Sequence, residues 1–110
     1  YEFDRGTGQW TLLGSPIIDS DTPGDGQQLG FGVDLRGDVL VVGTPGKDNR
    51  GQVDLYQWKA GEWEPHPTSL QGAEGSNFGF SVRWTGAFLA IGSAVTSDQN
   101  TGMVSVYSIL

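Results

Sequence analysis

The sequence predicts an all-β fold made of tandem four-stranded antiparallel units, and three observations carry that prediction. Glycine supplies 18 of the 110 residues, more than twice the usual share of about 7%, which marks chain reversals at short intervals. No window keeps apolar residues at helical spacing between helix caps. A segment of about fifty residues also occurs twice. LGFGVDLRGDVLVVGTP (29–45) lies over FGFSVRWTGAFLAIGSA (78–94) without a gap, pairing Gly30 with Gly79, Val33 with Val82, Gly37 with Gly86, Leu40 with Leu89 and Val42 with Ile91. After a two-residue difference in length, GQVDLYQW (51–58) falls on GMVSVYSI (102–109), and upstream YEFDRGTGQW (1–10) resembles YQWKAGEW (56–63).

Each element follows from period and punctuation. Tyr1–Trp10 reads as the end of an outer strand pair and is followed by an acidic loop. Gly30–Leu35 is the first strand of the repeat, Arg36-Gly37 a tight turn, and Asp38–Val42 an apolar strand buried on both faces. Thr44–Arg50 is a polar Gly/Pro/Asn loop. Val53 and Leu55 then alternate with Asp54 and Tyr56, the mark of a half-exposed strand, and a turn at Lys59–Gly61 leads to a fourth strand near Trp63. Four short antiparallel strands in about fifty residues make one propeller blade.

Three segments result. Residues 1–28 are the end of a preceding blade with its connecting loop, 29–77 a first repeat, and 78–110 a second, incomplete one. Propellers close with about four to eight blades, so two blades and a fraction are expected to belong to a larger β-propeller, with assembly of several copies as the alternative. The chain begins at Tyr1 without an initiator Met or a signal peptide, which reads as a processed product or a piece of something longer.

Phe78-Gly79-Phe80-Ser81-Val82, Gly37-Asp38-Val39-Leu40-Val41-Val42-Gly43-Thr44-Pro45 and Gly51-Gln52-Val53-Asp54-Leu55-Tyr56 together resemble the FG-GAP repeat. That repeat runs Phe-Gly, a small residue, an aliphatic, a Gly-Asp turn, an aliphatic run and Gly-Ala-Pro, and is completed by a Gly-x-Val-x-Val-Tyr strand. The chain departs from it at Leu29, which stands where Phe is expected, and at Ser93-Ala94, which replaces Ala-Pro. The resemblance implies a β-propeller like the head of integrin α chains. It implies a non-catalytic module for protein–protein interaction or structural support, as a subunit of a larger assembly, and an extracytoplasmic setting: secreted, cell surface or organelle lumen. Calcium-binding members carry an Asp-rich loop after the Phe-Gly strand. Here that connection holds only Asp34-Leu35-Arg36-Gly37 and Arg83-Trp84-Thr85-Gly86, so the family's calcium site does not carry over.

Charge and residue inventory exclude several functions. Thirteen acidic residues against six Lys and Arg give a net charge of −7, which repels phosphate backbones and argues against nucleic acid. Apolar runs such as Val39–Val42 and Phe88–Ile91 are far too short to span a bilayer as helices. With no cysteine there is neither a disulfide scaffold nor a thiolate metal site. Catalysis finds no motif: the single histidine, His66, sits between Pro65 and Pro67 in a stiff, extended segment, and there is no nucleophile elbow or phosphate loop. No enzyme activity and no cofactor are expected.

The candidate sites are loops and aromatics. Asp19, Asp21 and Asp25 form the densest carboxylate cluster, which raises calcium as the one possible ion, but Pro23 stands where an EF-hand needs a ligand, and a solvated acidic turn is expected. Lys47, Asp48 and Asn49 in the first repeat and Asp98 and Asn100 in the second occupy matching polar loops, where a rigid scaffold commonly presents a partner-binding surface, with ordinary turn chemistry the expected role of any single residue. Trp10 and Trp63 match each other, which argues for a packing role repeated in each blade, and Trp58 matches Phe3 and Ile109, so it reads as core or inter-blade packing. Trp84, matched with Leu35 beside a turn, is the best candidate for an exposed aromatic contact with a partner, a half-buried hydrophobe being the alternative and the expected reading. A lectin-like propeller binding carbohydrate, or a calcium-stabilised adhesion module, is the alternative function. Arg36-Gly37-Asp38 spells an adhesion tripeptide, yet Gly37 has its counterpart in Gly86, so the tripeptide is expected to serve first as a hairpin turn.

Overall fold

A computed structural model describes residues 1–18, 27–94 and 102–108. The described residues are all-β, in three antiparallel sheets that follow one another along the chain. The first pairs β1 (Glu2–Asp4) with β2 (Gln9–Thr11). The second has four strands in sequence order, β3 (Gly32–Arg36), β4 (Val39–Thr44), β5 (Gln52–Lys59) and β6 (Glu62–Gln71). The third has three, β7 (Phe78–Trp84), β8 (Phe88–Ser93) and β9 (Met103–Ser108). No sheet closes on itself.

The sequence repeat is also a repeat of register. Val33 faces Val42 and Leu35 faces Leu40 in the second sheet, as Val82 faces Ile91 and Trp84 faces Leu89 in the third. Next along, Gly43 faces Val53 and Leu40 faces Tyr56, as Gly92 faces Val104 and Leu89 faces Tyr107. The outer hairpin recurs too: Phe3 faces Trp10 with ring centroids 5.0 Å apart, and Trp58 faces Trp63 at 5.1 Å. Such cross-strand aromatic pairs lock a two-stranded ribbon that has little other burial.

The core lies between the second and third sheets. Val41 and Val53 of the second are fully buried under Phe78, Leu89 and Ile91 of the third, with Leu55, Leu70, Val82, Trp84 and Tyr107 around them. Because strand side chains alternate between faces, Val42 points the opposite way from Val41. It is also buried, 3% exposed, so β4 is covered on both sides at its centre, as its unbroken aliphatic run predicts.

The two sheets meet backbone to backbone through glycines. A Cβ on Gly43 would collide with the Gly79 carbonyl oxygen, and one on Gly51 with the backbone of Phe78. Gly51 and Phe78 form an isolated parallel bridge, and the Phe78 N–H donates to the Arg50 carbonyl at 3.1 Å. Gly79 sits at φ +94° where the β7–β8 register slips between Phe78 and Ser81. The Phe-Gly dipeptide is therefore a β-bulge that drops Phe78 into the core and lays the next peptide on Gly43.

Two expectations need adjusting. The fourth strand is ten residues long and runs through Pro65 and Pro67, because β6 is an edge strand whose outer side has no ladder for proline to break. Between the pairs Asp54–Ser69 and Tyr56–Pro65 the register shifts, so that His66–Thr68 stand opposite Leu55 alone. The loop after β4 contains a 3-10 turn, Lys47–Asn49, with Asp48 and Asn49 in the left-handed region at φ 52° and 59°.

The glycine contact gives a test. Gly43→Ala should cost about 3 kcal/mol or more in urea unfolding, since neither backbone can retreat. Gly37→Ala, at φ +60° with nothing within 4 Å of its Cβ position, should cost about 1 kcal/mol from backbone strain alone. Equal costs would show that the close approach does not constrain the fold.

Candidate functional site

Where the glycine contact ends, the sheets part. Between β5–β6 on one side and β8–β9 on the other lies a cleft of about 520 Å³. Its walls are mainly apolar, with Leu55, Pro65, Leu70, Trp84, Leu89 and Tyr107 among them, and Lys59, Glu64 and His66 also border it. The Lys59–Glu64 pair, 4.0 Å apart and more than half exposed, contributes little beyond solubility. His66 Nδ1 accepts the Thr68 N–H at 3.2 Å, which leaves the ring proton on Nε2 in the neutral form. A cleft of this volume and lining accommodates apolar or aromatic side chains rather than a charged substrate.

Trp84 takes part in this site from the inside. It is half-buried, packs on the core and lines the cleft. Its backbone N–H donates to Asp34 Oδ2 at 2.6 Å, a charge-assisted bond from one sheet to the next. Lys47, Asp48 and Asn49 lie in a loop that fastens the connection between the sheets: the Gly75 N–H donates to the Asn49 carbonyl at 2.6 Å and Ser76 Oγ to the Arg50 carbonyl at 2.9 Å. Asp98 and Asn100 lie outside the described residues, as do Asp19, Asp21 and Asp25. Among the described residues, no group of three or more His, Asp or Glu side chains is placed to hold a metal ion. Nor is any helix among them long and apolar enough to cross a membrane.

Two surfaces go beyond the sequence-based candidates. One is the outward face of the third sheet, where Phe88, Val104 and Val106 are 53%, 72% and 63% exposed. The other is a ridge formed by Phe31 and Phe80, equivalent residues of successive repeats whose rings meet at 4.5 Å. The alternation of Val104 and Val106 with Ser105 and Tyr107 is visible in the sequence. Which alternate set is covered depends on the neighbouring sheet.

Arg36-Gly37-Asp38 is a hairpin turn. Gly37 has φ +60°, the Asp38 carbonyl accepts the Trp58 N–H at 2.8 Å, and the Arg36 side chain lies against the matching turn at Gly86. All three residues are exposed.

No known family model matches the chain, and no curated protein matches it.

The Asp34–Trp84 contact is open to measurement. Asp34→Ala should lower stability by about 1.5–3 kcal/mol, as expected when an ionised acceptor is removed from an N–H. It should also speed hydrogen exchange at the Trp84 amide, which NMR or mass spectrometry can follow. Asp34→Asn, which retains a neutral acceptor, should recover part of both.

Proposed function

We propose that the chain is a segment of a β-propeller of the FG-GAP type, that its second and third sheets are successive blades, and that it acts as a non-catalytic module for binding protein partners. The recurrence of register from sheet to sheet supports this, as does the place of Phe78-Gly79 and Gly43 at the junction, where the repeat's signature glycines permit close stacking.

The outward face of the third sheet is the observation that carries the proposal. By repeat and register, Phe88, Val104 and Val106 correspond to Val39, Val53 and Leu55 of the preceding unit. There, Val53 is 0% exposed beneath the third sheet and Leu55 packs on the same core. Successive units thus stack head to tail, one apolar face on the opposite face of the next. The outward face of the third sheet presents the side chains whose counterparts the preceding unit buries. An apolar patch of this kind is an interaction surface, and its natural complement is the apolar face of another β-unit.

Sedimentation of the purified protein tests the proposal. At salt sufficient to screen the net charge of −7, the wild type should self-associate with rising concentration. The double variant Val104→Glu/Val106→Glu should stay monomeric with an unchanged melting temperature, because both positions are exposed. A wild type that remains monomeric and indistinguishable from the variant removes the basis for an interaction surface here.

A further inference from the structure

Pro65 and Pro67 carry no amide hydrogen, so between residues 65 and 68 only His66 and Thr68 have a backbone donor. Here the β5–β6 register shifts, with His66–Thr68 opposite Leu55 alone, and the regular ladder is interrupted. The Thr68 N–H is taken by a side chain instead: it donates to His66 Nδ1 at 3.2 Å. Among the described residues β6 is an edge of its sheet. A free donor on such an edge is a place where another chain can pair. The imidazole therefore caps a donor that the bulge takes out of the ladder.

That cap depends on charge. A neutral imidazole offers one ring nitrogen as an acceptor, whereas the imidazolium carries a hydrogen on both. Once His66 is protonated, Nδ1–H and the Thr68 N–H are two donors facing each other, and the bond is lost. His66 is the single histidine of the chain. The ionisable side chains that border the same space are Lys59 of β5, Glu64 of β6 and, from the third sheet, Tyr107. Glu64 precedes His66 by two residues, so strand alternation sets both on one face. Its present partner is Lys59 at 4.0 Å, with both side chains more than half exposed, a pair weak enough to exchange.

We propose that His66 is a pH-sensitive latch on the bulge of β6. In the neutral state Nδ1 holds the Thr68 amide and Glu64 stays with Lys59. On protonation the ring turns to the Glu64 carboxylate, Lys59 is given up to solvent, and the Thr68 N–H is released to water or to an incoming chain. The change requires no repacking of the core, because Glu64, His66 and Thr68 are all exposed. It involves none of the side chains of the apolar face at Val104 and Val106, and it does not depend on the repeat reading.

NMR of the full chain follows the latch residue by residue, titrated from about pH 8 to about pH 5, the range in which histidine ordinarily changes charge. The Thr68 amide and the His66 ring should shift with a common midpoint. Protection of the Thr68 amide from exchange, corrected for the intrinsic rate, should fall about fivefold on the acid side, as when a typical hydrogen bond is lost. His66→Phe keeps a ring but no acceptor: Thr68 should then be unprotected throughout, without a transition, at an unchanged melting temperature. Glu64→Gln removes the carboxylate that receives the imidazolium, so it should spare the cap in the neutral state and move the release to more acid pH. A Thr68 amide that does not follow the His66 ring, protection that is constant across the titration, or protection that survives His66→Phe would overturn the latch. A midpoint unmoved by Glu64→Gln would overturn the exchange of partners.

Discussion

The backbone contact of Gly79 on Gly43 fixes the relation between the second and third sheets, and the rest of the structure follows from it. Packed sheets normally keep about 10 Å between them, the space two layers of side chains need. At this junction there is no side chain on either side, and a methyl group on Gly43 would strike the Gly79 carbonyl. The close approach carries Phe78 into the space under which Val41 and Val53 are buried. It brings the Trp84 amide within 2.6 Å of Asp34 and Phe31 within 4.5 Å of Phe80. Farther out, leucines, prolines and tyrosine hold the sheets apart. A pair of sheets touching at one end and propped open at the other encloses a wedge, and the cleft of about 520 Å³ is its wide end.

Much of this was legible because the repeat supplied an internal comparison. Gly37 matched to Gly86 identified a turn where Arg36-Gly37-Asp38 alone suggested a ligand, and both glycines adopt positive φ. The unbroken run Val39–Val42 marked the strand covered on both faces. Trp10 and Trp63 were expected to share a packing role; Trp63 reaches across to the Leu13 carbonyl, whereas Trp10 is 66% exposed. Phe-Gly, by contrast, was legible only as a signature. Its physical role as a bulge depends on a register slip and on the glycine of another strand, neither of which is local.

What the sequence concealed has the same cause in each case: local chemistry overruled by a neighbour. Pro65 and Pro67 are breakers within a central strand, yet β6 tolerates them because its outer edge bonds to nothing in the sheet. Asp48 and Asn49 read as loop polar groups that either face a partner or serve turn chemistry. The carbonyls of Asn49 and Arg50 accept N–H and O–H donors from the connection to the third sheet, and the left-handed φ values suit short polar side chains that tolerate that region. Trp84 is the exception, since a half-buried hydrophobe was the expected reading there, and its difference from its counterpart Leu35 has a structural correlate. Leu35 is 57% exposed, whereas the indole is half-buried against the core and the cleft.

Head-to-tail stacking of the kind proposed would make partner choice directional. The third sheet covers one face of the second, and its own opposite face is exposed at Phe88, Val104 and Val106, so the two faces are complementary rather than alike and need not pair with themselves in a closed twofold dimer. Apolar contact sets which surface is used but acts only at short range. The net charge of −7 acts at longer range and disfavours approach of an identical acidic chain at low ionic strength. On the proposed reading, a neutral or basic polypeptide that offers a complementary apolar β-face would meet neither obstacle, so the same patch would favour such a partner over a second copy of the chain at low ionic strength.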